Sequence, residues 1–249
     1  MFLPKNWVQS IVSHMDNYYS ADLLLYIHPL ASFCHKVLIA LYENGTEFEP
    51  RIVDFLKEDS SAAELFAYWP VGKIPLLRDR KRKKTIPETS IIIEYLDVHY
   101  PGPIKLIPMD EELAFETRLW DRFFDLYISV PIQKIVVDRL RPNGQNDLLG
   151  VEEAYNTLKT SYDMVENQLS SQGLITGDHF TMADCSAVPA LFYADTIVSF
   201  RNTHPKTTAY FERLLERPSV KRTIDEAEPY FHMYPLSDKI SKRFRKIGS

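Results

Sequence analysis

The stretch that constrains this chain most runs from residue 71 to residue 77, with the sequence Val-Gly-Lys-Ile-Pro-Leu-Leu. Pro75 opens an apolar run typical of a β-strand, and the first residue of a strand is one of the few places in a sheet that tolerate proline. The bond between Ile74 and Pro75 is an X-Pro bond, for which the cis form costs little. A cis turn here would direct a backbone amide outward, at an edge that can pair with an extended peptide.

A second proline, Pro87, opens the sequence Pro-Glu-Thr-Ser and is followed by an apolar run of helical character at residues 91–96. Thr89 or Ser90 is predicted to be the N-cap of this helix, because hydroxyl side chains accept hydrogen bonds from the first free N–H groups. Those N–H groups also favour a bound anion. A backbone edge beside a helix start that holds a carboxylate predicts a binding site for a small acidic peptide.

Composition limits the class of protein. The chain has 249 residues, 45% of them hydrophobic and 12% aromatic, which suits one large domain or two smaller ones with a sizeable core. The formal net charge of −5 argues against general nucleic-acid binding. Two cysteines far apart in the sequence, Cys34 and Cys185, favour a reducing compartment over a disulfide scaffold. The sequence shows neither a signal peptide nor an apolar run long enough for a membrane helix, so we expect a soluble cytoplasmic protein.

The order of apolar runs and turn residues predicts a first half of the type β-α-β-α-β-β-α. Its first two strands are joined by a crossover helix and are expected to be parallel, whereas its last two form a tight hairpin. A proline-rich connector then leads to a second half with helical periodicity throughout. The predicted divisions are an N-terminal extension at 1–21, an α/β domain at 22–100, a linker at 101–110, an all-helical domain at 111–232 and a basic tail at 233–249.

Three features of the second half carry structural predictions. Pro131 stands inside a long helical run and is predicted to kink or split it. Thr181 and Asp184 fit a capping box ahead of an apolar helix from Cys185 to Phe200. The stretch from Lys239 to Lys246 is basic and is expected to be exposed.

This arrangement resembles the cytosolic glutathione transferase (GST) family over roughly residues 22–232. The resemblance implies an α/β thioredoxin-like N-terminal domain followed by an all-α C-terminal domain. In this order and at these spacings, the shared segments are specific to the superfamily, though not to one class within it. They are Gly72-Lys73-Ile74-Pro75, Glu88-Thr89 with the helix at 91–96, Leu174–Gly177 with Phe180–Asp184, and Arg217–Arg222.

The resemblance implies that the first domain binds glutathione as a co-substrate, without a metal. The backbone of Ile74, at the turn before Pro75, would pair antiparallel with the cysteinyl part of the tripeptide. Glu88 would face the ammonium of the γ-glutamyl end, and Thr89 its carboxylate. Lys73 would meet the glycyl carboxylate.

The family ionises the glutathione thiol with a Tyr, Ser or Cys near the start of the first helix, and a free thiol titrates near ~8.5 without such help. Alignment places Ala31 where many members have Ser or Cys. Ser32, which is also predicted to cap the first helix, is the leading hydrogen-bond donor, with the backbone amides of Phe33 and Cys34 beside it. A plain N-cap is the competing interpretation of Ser32. Cys34 stands at the second cysteine position of a CxxC motif, but the first position is Ala31, so a dithiol mechanism is excluded. His35 is expected on the outward face of the helix.

The pocket for the electrophile is expected between the two halves. Aromatic side chains are candidates for its wall, although such residues at helical spacing more often belong to a core. The candidates are Trp120, Phe124, Tyr127 and Tyr230. The resemblance also implies a homodimer in which the region from Phe55 to Phe66 and the first helix of the second half face the partner.

Three functions stay open. The leading one is a transferase in which the glutathione thiolate attacks a small apolar electrophile. A different glutathione-dependent enzyme on the same fold, such as an isomerase or a peroxidase, would use similar residues. A GST-like binding or interaction protein without turnover is the third, and Ala31 favours it.

Overall fold

The computed structural model describes residues 21–55, 60–169 and 173–245, so the predicted extension at 1–21 lies almost wholly outside the described residues. The strands are β1 (Leu23–Ile27), β2 (Glu49–Ile52), β3 (Leu76–Asp79) and β4 (Lys84–Pro87). The α-helices are α1 (Ser32–Glu43), α2 (Ser60–Tyr68), α3 (Thr89–His99), α4 (Glu111–Phe123), α5 (Val130–Arg139), α6 (Leu148–Gln168), α7 (Met182–Ala194), α8 (Pro205–Leu215) and α9 (Pro218–Ala227). A π-helical segment (Phe124–Ser129) joins α4 to α5, and short 3-10 turns follow α9 at Glu228–Met233, Ser237–Lys239 and Lys242–Phe244.

The four strands form one mixed sheet in the order β2-β1-β3-β4. β1 is parallel to β2 and antiparallel to β3, and β3 and β4 form an antiparallel hairpin in which Leu77 lies opposite Ile86. Every residue of β1 is buried, because α1 and α3 pack on one face of the sheet and α2 packs on the other. The predicted β-α-β-α-β-β-α order, the parallel pair and the hairpin are confirmed. The peptide bond between Ile74 and Pro75 is cis.

The helices α1 and α3 do not have the hydroxyl N-caps that were predicted from the sequence. The N-cap of α1 is Ala31, and Ser32 is its first helical residue. The N-cap of α3 is Glu88, with φ of 69°, and Thr89 is the first helical residue. The predictions that Ser32 and either Thr89 or Ser90 are N-caps are therefore wrong. An N-cap has non-helical φ and ψ, and the chain takes that conformation one residue earlier in both places.

Pro131 splits the long helical run as predicted. A proline in a helix lacks an N–H, and its ring clashes with the carbonyl four residues earlier, which here belongs to Tyr127. The run opens into the π-helical segment before this point, and α5 starts with proline in its first turn. The carbonyl of Tyr127 accepts a hydrogen bond from the Ser161 hydroxyl at 3.0 Å, so the backbone group released by the proline is satisfied.

The capping box before α7 is confirmed. The Thr181 side chain accepts from the backbone N–H of Asp184, and the Asp184 side chain accepts from the backbone N–H of Thr181. All residues of α7 are buried, which makes it the central helix of the second half. The helix ends at Ala194 rather than at Phe200. The N–H and the hydroxyl of Thr196 both donate to the Tyr193 carbonyl, at 3.1 and 2.6 Å, and so turn the chain away from the helix axis.

One hydrophobic core joins the two halves. It runs from the inner face of the sheet and α1, including Leu25 and Val37, to Ile128 and Leu191 of the helical half. The tail also returns to this core: Ile240 is buried, whereas Lys239, Lys242 and Arg243 are exposed, so the expectation of an exposed tail holds only in part. Across the described ranges, none of the helices has the length and apolarity needed to cross a bilayer.

Candidate functional site

A cavity of about 310 Å³ lies between the α/β half and the helical half. The turn that precedes β3 and the start of α3 form its floor. The π-helical segment and α5 form its wall in the helical half. Five residues predicted from the sequence to bind glutathione line it together: Lys73, Ile74, Pro75, Glu88 and Thr89. Their roles toward a ligand stay predictions, but the fold gathers all five at one site.

The start of α3 presents free backbone N–H groups to this cavity. The first intrahelical hydrogen bond runs from the Ile92 N–H to the Glu88 carbonyl at 2.8 Å, so the N–H groups of Thr89 and Ser90 precede the helical pattern. The Thr89 side chain is buried, whereas the Glu88 side chain is exposed. The positive φ of Glu88 is uncommon for a residue with a side chain, and such conformations cluster at binding sites. This helix start can hold a carboxylate.

The start of α1 borders the same cavity through Phe33. Ser32, the predicted thiol-activating residue, is partly buried and is not itself part of the cavity wall. Within the described part of the chain, no side-chain cap occupies the start of α1. The N–H groups of Ser32 and Phe33 precede the bond from Cys34 N–H to the Ala31 carbonyl at 2.8 Å, so this helix start also offers free donors.

Cys34 and His35 face the interior. Burial raises the pKa of the Cys34 thiol to about 12, so this cysteine is protonated and unreactive. His35 is also buried, contrary to the expected outward position. One ring nitrogen, Nε2, lies 2.5 Å from the Pro29 carbonyl oxygen, and burial lowers the histidine pKa to about 4. Val37 and Leu38 lie on the buried face of α1, and Cys34 and His35, one turn earlier, lie on the same face.

The aromatic candidates for an electrophile pocket do not line this cavity. Trp120 and Phe124 are buried in the core of the helical half. Tyr127 is 51% exposed, and Tyr230 packs edge-on against His28 beside a different crevice. The extra residue in the π-helical turn shifts the helix phase between position 124 and position 127, which periodicity alone could not predict.

Other side chains supply this wall, which is apolar apart from Gln133. Phe33 and Trp69 line the cavity from the α/β half, and Leu126, Val130 and Gln133 line it from the helical half. The last three are spaced i, i+4 and i+7, a helical stripe that was visible in the sequence but was overlooked beside the aromatic residues.

A buried ion cluster lies next to the cavity and was also missed. The Nζ atom of Lys36 lies 2.6 Å from Asp121 Oδ1, 2.8 Å from Asp125 Oδ2 and 3.0 Å from Ser90 Oγ. Nη1 of Arg122 donates to Ser90 Oγ at 3.0 Å and to Asp125 Oδ2 at 3.1 Å. Burial raises the pKa of the Asp125 carboxyl, the Lys36 ammonium opposes this shift, and the Asp121 charge adds to it. Two features of the sequence could have indicated this cluster: Lys36 lies within the apolar run of α1, and Asp121 and Asp125 lie four residues apart among aromatic residues.

The structure describes no group of three or more His, Cys, Asp or Glu residues that could hold a metal ion.

Family models match both halves of the chain. The N-terminal domain of glutathione S-transferase matches residues 25–104, and the C-terminal domain of the same family matches residues 150–213. Together with the thioredoxin-like sheet and the helical second half, these matches show that the chain belongs to the cytosolic glutathione transferase superfamily.

Individual relatives are distant but cover most of the chain. Glutathione S-transferase F13 of Arabidopsis thaliana is 27% identical over 203 residues, which is 78% of this chain and 91% of the relative. Glutathione S-transferase Z2 of the same plant is 26% identical over 238 residues, covering 88% and 97%. The solved structure of glutathione transferase URE2P6 from Phanerochaete chrysosporium, in complex with oxidised glutathione, is 25% identical, with a TM-score of 0.72 and coverage of 83% of this chain and 96% of that one.

Proposed function

We propose that this protein is a glutathione transferase, which joins the thiolate of glutathione to an electrophilic carbon of a small apolar compound. The observation that supports this most is that the Ile74–Pro75 turn and the starts of α1 and α3 border one cavity. The similar URE2P6 structure holds oxidised glutathione on the same fold.

Glutathione would lie along the floor of the cavity. The backbone of Ile74 would pair with the cysteinyl residue as an added antiparallel strand. The γ-glutamyl carboxylate would meet the Thr89 hydroxyl and the free N–H groups of α3, with Glu88 near its ammonium. The exposed ammonium of Lys73 would meet the glycyl carboxylate.

The cysteinyl sulfur would then reach the start of α1. The Ser32 hydroxyl and the N–H of Phe33 would donate hydrogen bonds to the thiolate, which lowers the thiol pKa because the charged form is stabilised. The thiol proton passes to water. The thiolate lone pair forms the carbon–sulfur bond, and the electrons of the broken bond leave with the leaving group or shift along a conjugated system.

The electrophile would lie against the apolar wall. Phe33 and Trp69 offer flat aromatic surface on one side, and Leu126 and Val130 offer aliphatic surface on the other. This wall favours small apolar substrates, because their transfer from water buries apolar area on both sides.

The test begins with calorimetric titration of the purified protein with reduced glutathione near pH 7, followed by turnover of an activated aryl chloride. One saturable site per chain with turnover supports the proposal, and no binding at millimolar glutathione refutes it. Ser32→Ala is expected to lower kcat by about 10- to 100-fold, the size of one lost hydrogen bond to a charged group. It should also raise the pKa of bound glutathione, read from thiolate absorbance. The exposed Ser241→Ala is the matched control.

A binding protein without turnover is the second candidate. It is favoured by Ala31 at the position where the family usually has Ser or Cys, and by the absence of Ser32 from the residues that line the cavity. Tight glutathione binding without turnover of any electrophile class, and without an effect of Ser32→Ala, would identify this function.

A homodimer is proposed on a face that shares α4 with the expected one and extends to α3; the expected region from Phe55 to Phe66 lies partly outside the described residues. Exposed apolar side chains continue from α3 to α4, where Arg118 and Glu94 bridge the two helices at 2.9 Å. Monomers rarely leave such contiguous apolar surface uncovered. The side chains are Ile91, Val98, Phe115 and Leu119.

A further inference from the structure

The hairpin between β3 and β4 carries a concentrated positive charge at its tip. Residues 78–84 hold six basic residues and one acidic residue, a formal charge of +5, so the rest of the chain carries −10 against a total of −5. The acidic residue, Asp79, is buried and paired with Arg82. The exposed cations of the tip are consecutive in the chain. They are Lys81, Arg82, Lys83 and Lys84.

Two of these cations lack a counter-charge. Lys81 Nζ lies 3.7 Å from Asp22 Oδ2, and Arg82 Nη1 lies 3.4 Å from Asp79 Oδ2. Among the described residues, no carboxylate pairs with Lys83 or Lys84. A hairpin tip needs polar residues to face water, but a block of like charges repels itself and is typical of a surface that binds a partner.

The backbone at Lys83 is a second, independent observation. Its φ is 53°, and its N–H donates to the Arg80 carbonyl at 3.3 Å, which closes the turn. Glycine and asparagine adopt this left-handed conformation more readily than lysine does. The turn therefore keeps a cation at a position where glycine would be unstrained, and conformations of this kind cluster at binding sites.

The tip lies at the end of the hairpin away from the cavity. Leu76 pairs with Pro87 at one end of β3 and β4, and Pro87 lines the cavity. Asp79 pairs with Lys84 at the other end, where the tip begins. A partner bound at the tip would leave the cavity open.

The chain enters β1 beside this tip. The Arg80 N–H donates to the Asp22 carbonyl at 2.9 Å, and the Arg80 guanidinium donates to the Ala21 carbonyl. Residues 1–20 lie outside the described residues, but their sequence joins the chain at this point. It carries apolar residues at the spacing of one helix face. These are Trp7, Val8, Ile11, Val12 and Met15.

We propose that the hairpin tip and residues 1–20 together form a peripheral binding surface for an anionic lipid bilayer. The cations of the tip meet lipid phosphate and carboxylate groups, and the apolar side chains of residues 1–20 enter the interface. A basic patch beside an apolar segment supplies the two kinds of contact that hold a protein on such a bilayer. The inference is independent of the proposed function, because it uses a different end of the sheet.

A nucleic acid is the rival polyanion. Residues 78–84 contain no aromatic side chain on which a base could stack. A specific protein–DNA interface buries about 1,000–2,500 Å² of protein surface, which is more than one hairpin tip offers. A bilayer needs only a cluster of about four to eight cations. Its potential decays over about 8 Å at physiological salt, so the bilayer attracts the tip more than it repels the acidic body behind it.

The experiment is co-sedimentation of the full chain with vesicles of phosphatidylcholine alone, and of phosphatidylcholine with about one third phosphatidylserine. Wild type is expected to bind only the anionic vesicles and to be released as salt is raised. The variant with Lys81→Ser, Lys83→Gly and Lys84→Thr should bind about 100-fold more weakly, at about fivefold for each cation. The matched control removes three exposed lysines of the helical half and should change binding by less than about twofold. Its substitutions are Lys159→Ser, Lys206→Ser and Lys221→Ser.

The apolar part has its own variant. Trp7→Ser with Ile11→Ser should weaken binding by about 10-fold or more, because apolar area is no longer buried in the interface. Met109→Ser with Leu148→Ser, at positions 83% and 77% exposed, is the matched control and should bind as wild type does. Unchanged binding of either the lysine variant or the Trp7 variant would overturn the two-part surface.

Lys83→Gly alone separates binding from a structural role. It should weaken vesicle binding by about fivefold, yet raise the midpoint of urea denaturation, because glycine relieves the positive φ. A lowered midpoint would mean that the lysine serves the fold, and would overturn the argument from its backbone.

Two further outcomes would also refute the proposal. One is equal binding to both kinds of vesicle, and the other is binding of a short DNA duplex through the three tip lysines without binding of anionic vesicles. Glutathione titration of the lysine variant is the remaining control and should match wild type. Absence of glutathione binding in wild type would refute the proposed function and leave the vesicle result standing.

Discussion

Burial decides the chemistry of single residues near the start of α1 more than their place in the sequence does. Cys34 is two residues from Ser32, yet its thiol lies in the core and its pKa is raised to about 12. His35 is one residue further on, and burial keeps its imidazole neutral near pH 7 because its pKa is about 4. Only Ser32 and Phe33, the first two residues of α1, therefore remain available to a ligand sulfur.

Cys34 is expected to resist alkylation in the folded protein. Its thiol and that of Cys185 are both buried, and burial raises both pKa values, so thiolate is scarce and inaccessible at pH 8. Mass spectrometry after iodoacetamide treatment should find no adduct in native protein and two adducts in denaturant. A rapid single adduct in the native state would contradict this view of α1.

Asp79 is expected to stabilise the fold in a pH-dependent way. Burial alone would raise the pKa of this carboxyl, but the Arg82 N–H, the hydroxyls of Tyr100 and Tyr95, and the Arg82 charge lower it below the ordinary value of 3.8. A lowered folded-state pKa gives stability that is present above pH 3.8 and is lost as the pH falls through the folded-state value.

Asp79→Asn should therefore lower the free energy of unfolding by about 2–3 kcal/mol at pH 7, because hydrogen bonds to a charged acceptor are lost. The gap between the variant and wild type should narrow below about pH 4, as the wild-type carboxylate is protonated. Urea titrations across the pH range measure both effects, with the exposed Asp225→Asn as control. A constant gap at all pH values would exclude the charge as its cause.

At the scale of helices and strands, the uncapped helix starts coincide with the cavity. Side chains cap α4, α6 and α7, through Asp110, Asp147 and the Thr181 box, and α5, α8 and α9 have a proline in the first turn. In the described part of the chain, α1 and α3 have neither device. Their free N–H groups are left for whatever binds between them.

The capping box of α7 gives a test at this scale. Thr181→Ala removes one partner of the box, which should cost about 1–2 kcal/mol of unfolding free energy. The cost is global because α7 is buried at every position. Equilibrium denaturation measures it, with Thr160→Ala on an exposed position of α6 as the matched control. Equal midpoints for the two variants would show that the box adds nothing measurable.

Prediction from sequence succeeded where local chemistry sets the structure and failed where packing sets it. The parallel strand pair and the hairpin followed from the crossover helix and the tight turn, the cis turn from Ile74–Pro75, and the capping box from Thr181 and Asp184. The aromatic candidates for the wall of the cavity were wrong because packing places Trp120 and Phe124 in the core. The helical stripe of Leu126, Val130 and Gln133 lines the cavity instead. The partners of Lys36 were missed because they are distant in sequence and meet only after the two halves pack.

At the scale of the whole molecule, one core and one ion cluster connect the halves, and the cavity lies where they meet. The exposed apolar face proposed for dimerisation lies on the same helices, α3 and α4. Ligand binding and self-association would thus both use these two helices.

If the proposed dimer forms, Leu119→Glu is expected to convert it into a monomer. The side chain is 55% exposed on α4, and a glutamate there would bring unpaired charges to a two-fold interface. Sedimentation velocity at micromolar concentration measures the mass. Leu148→Glu, at a position 77% exposed at the start of α6, is the matched control and should remain dimeric. Loss of the dimer in both variants, or in neither, would refute the proposed face.

The contact of Lys36 with Asp121 and Asp125 also limits how this chain can recombine with its relatives. An α/β half that brings a lysine to the centre of α1 needs a helical half with two carboxylates at the matching positions, since removing the partner of a buried charge costs about 3–5 kcal/mol. A chimera that exchanges one half alone would leave an ammonium or two carboxylates stranded at the new junction. Compatibility between halves can therefore be judged from three side chains before any hybrid is made.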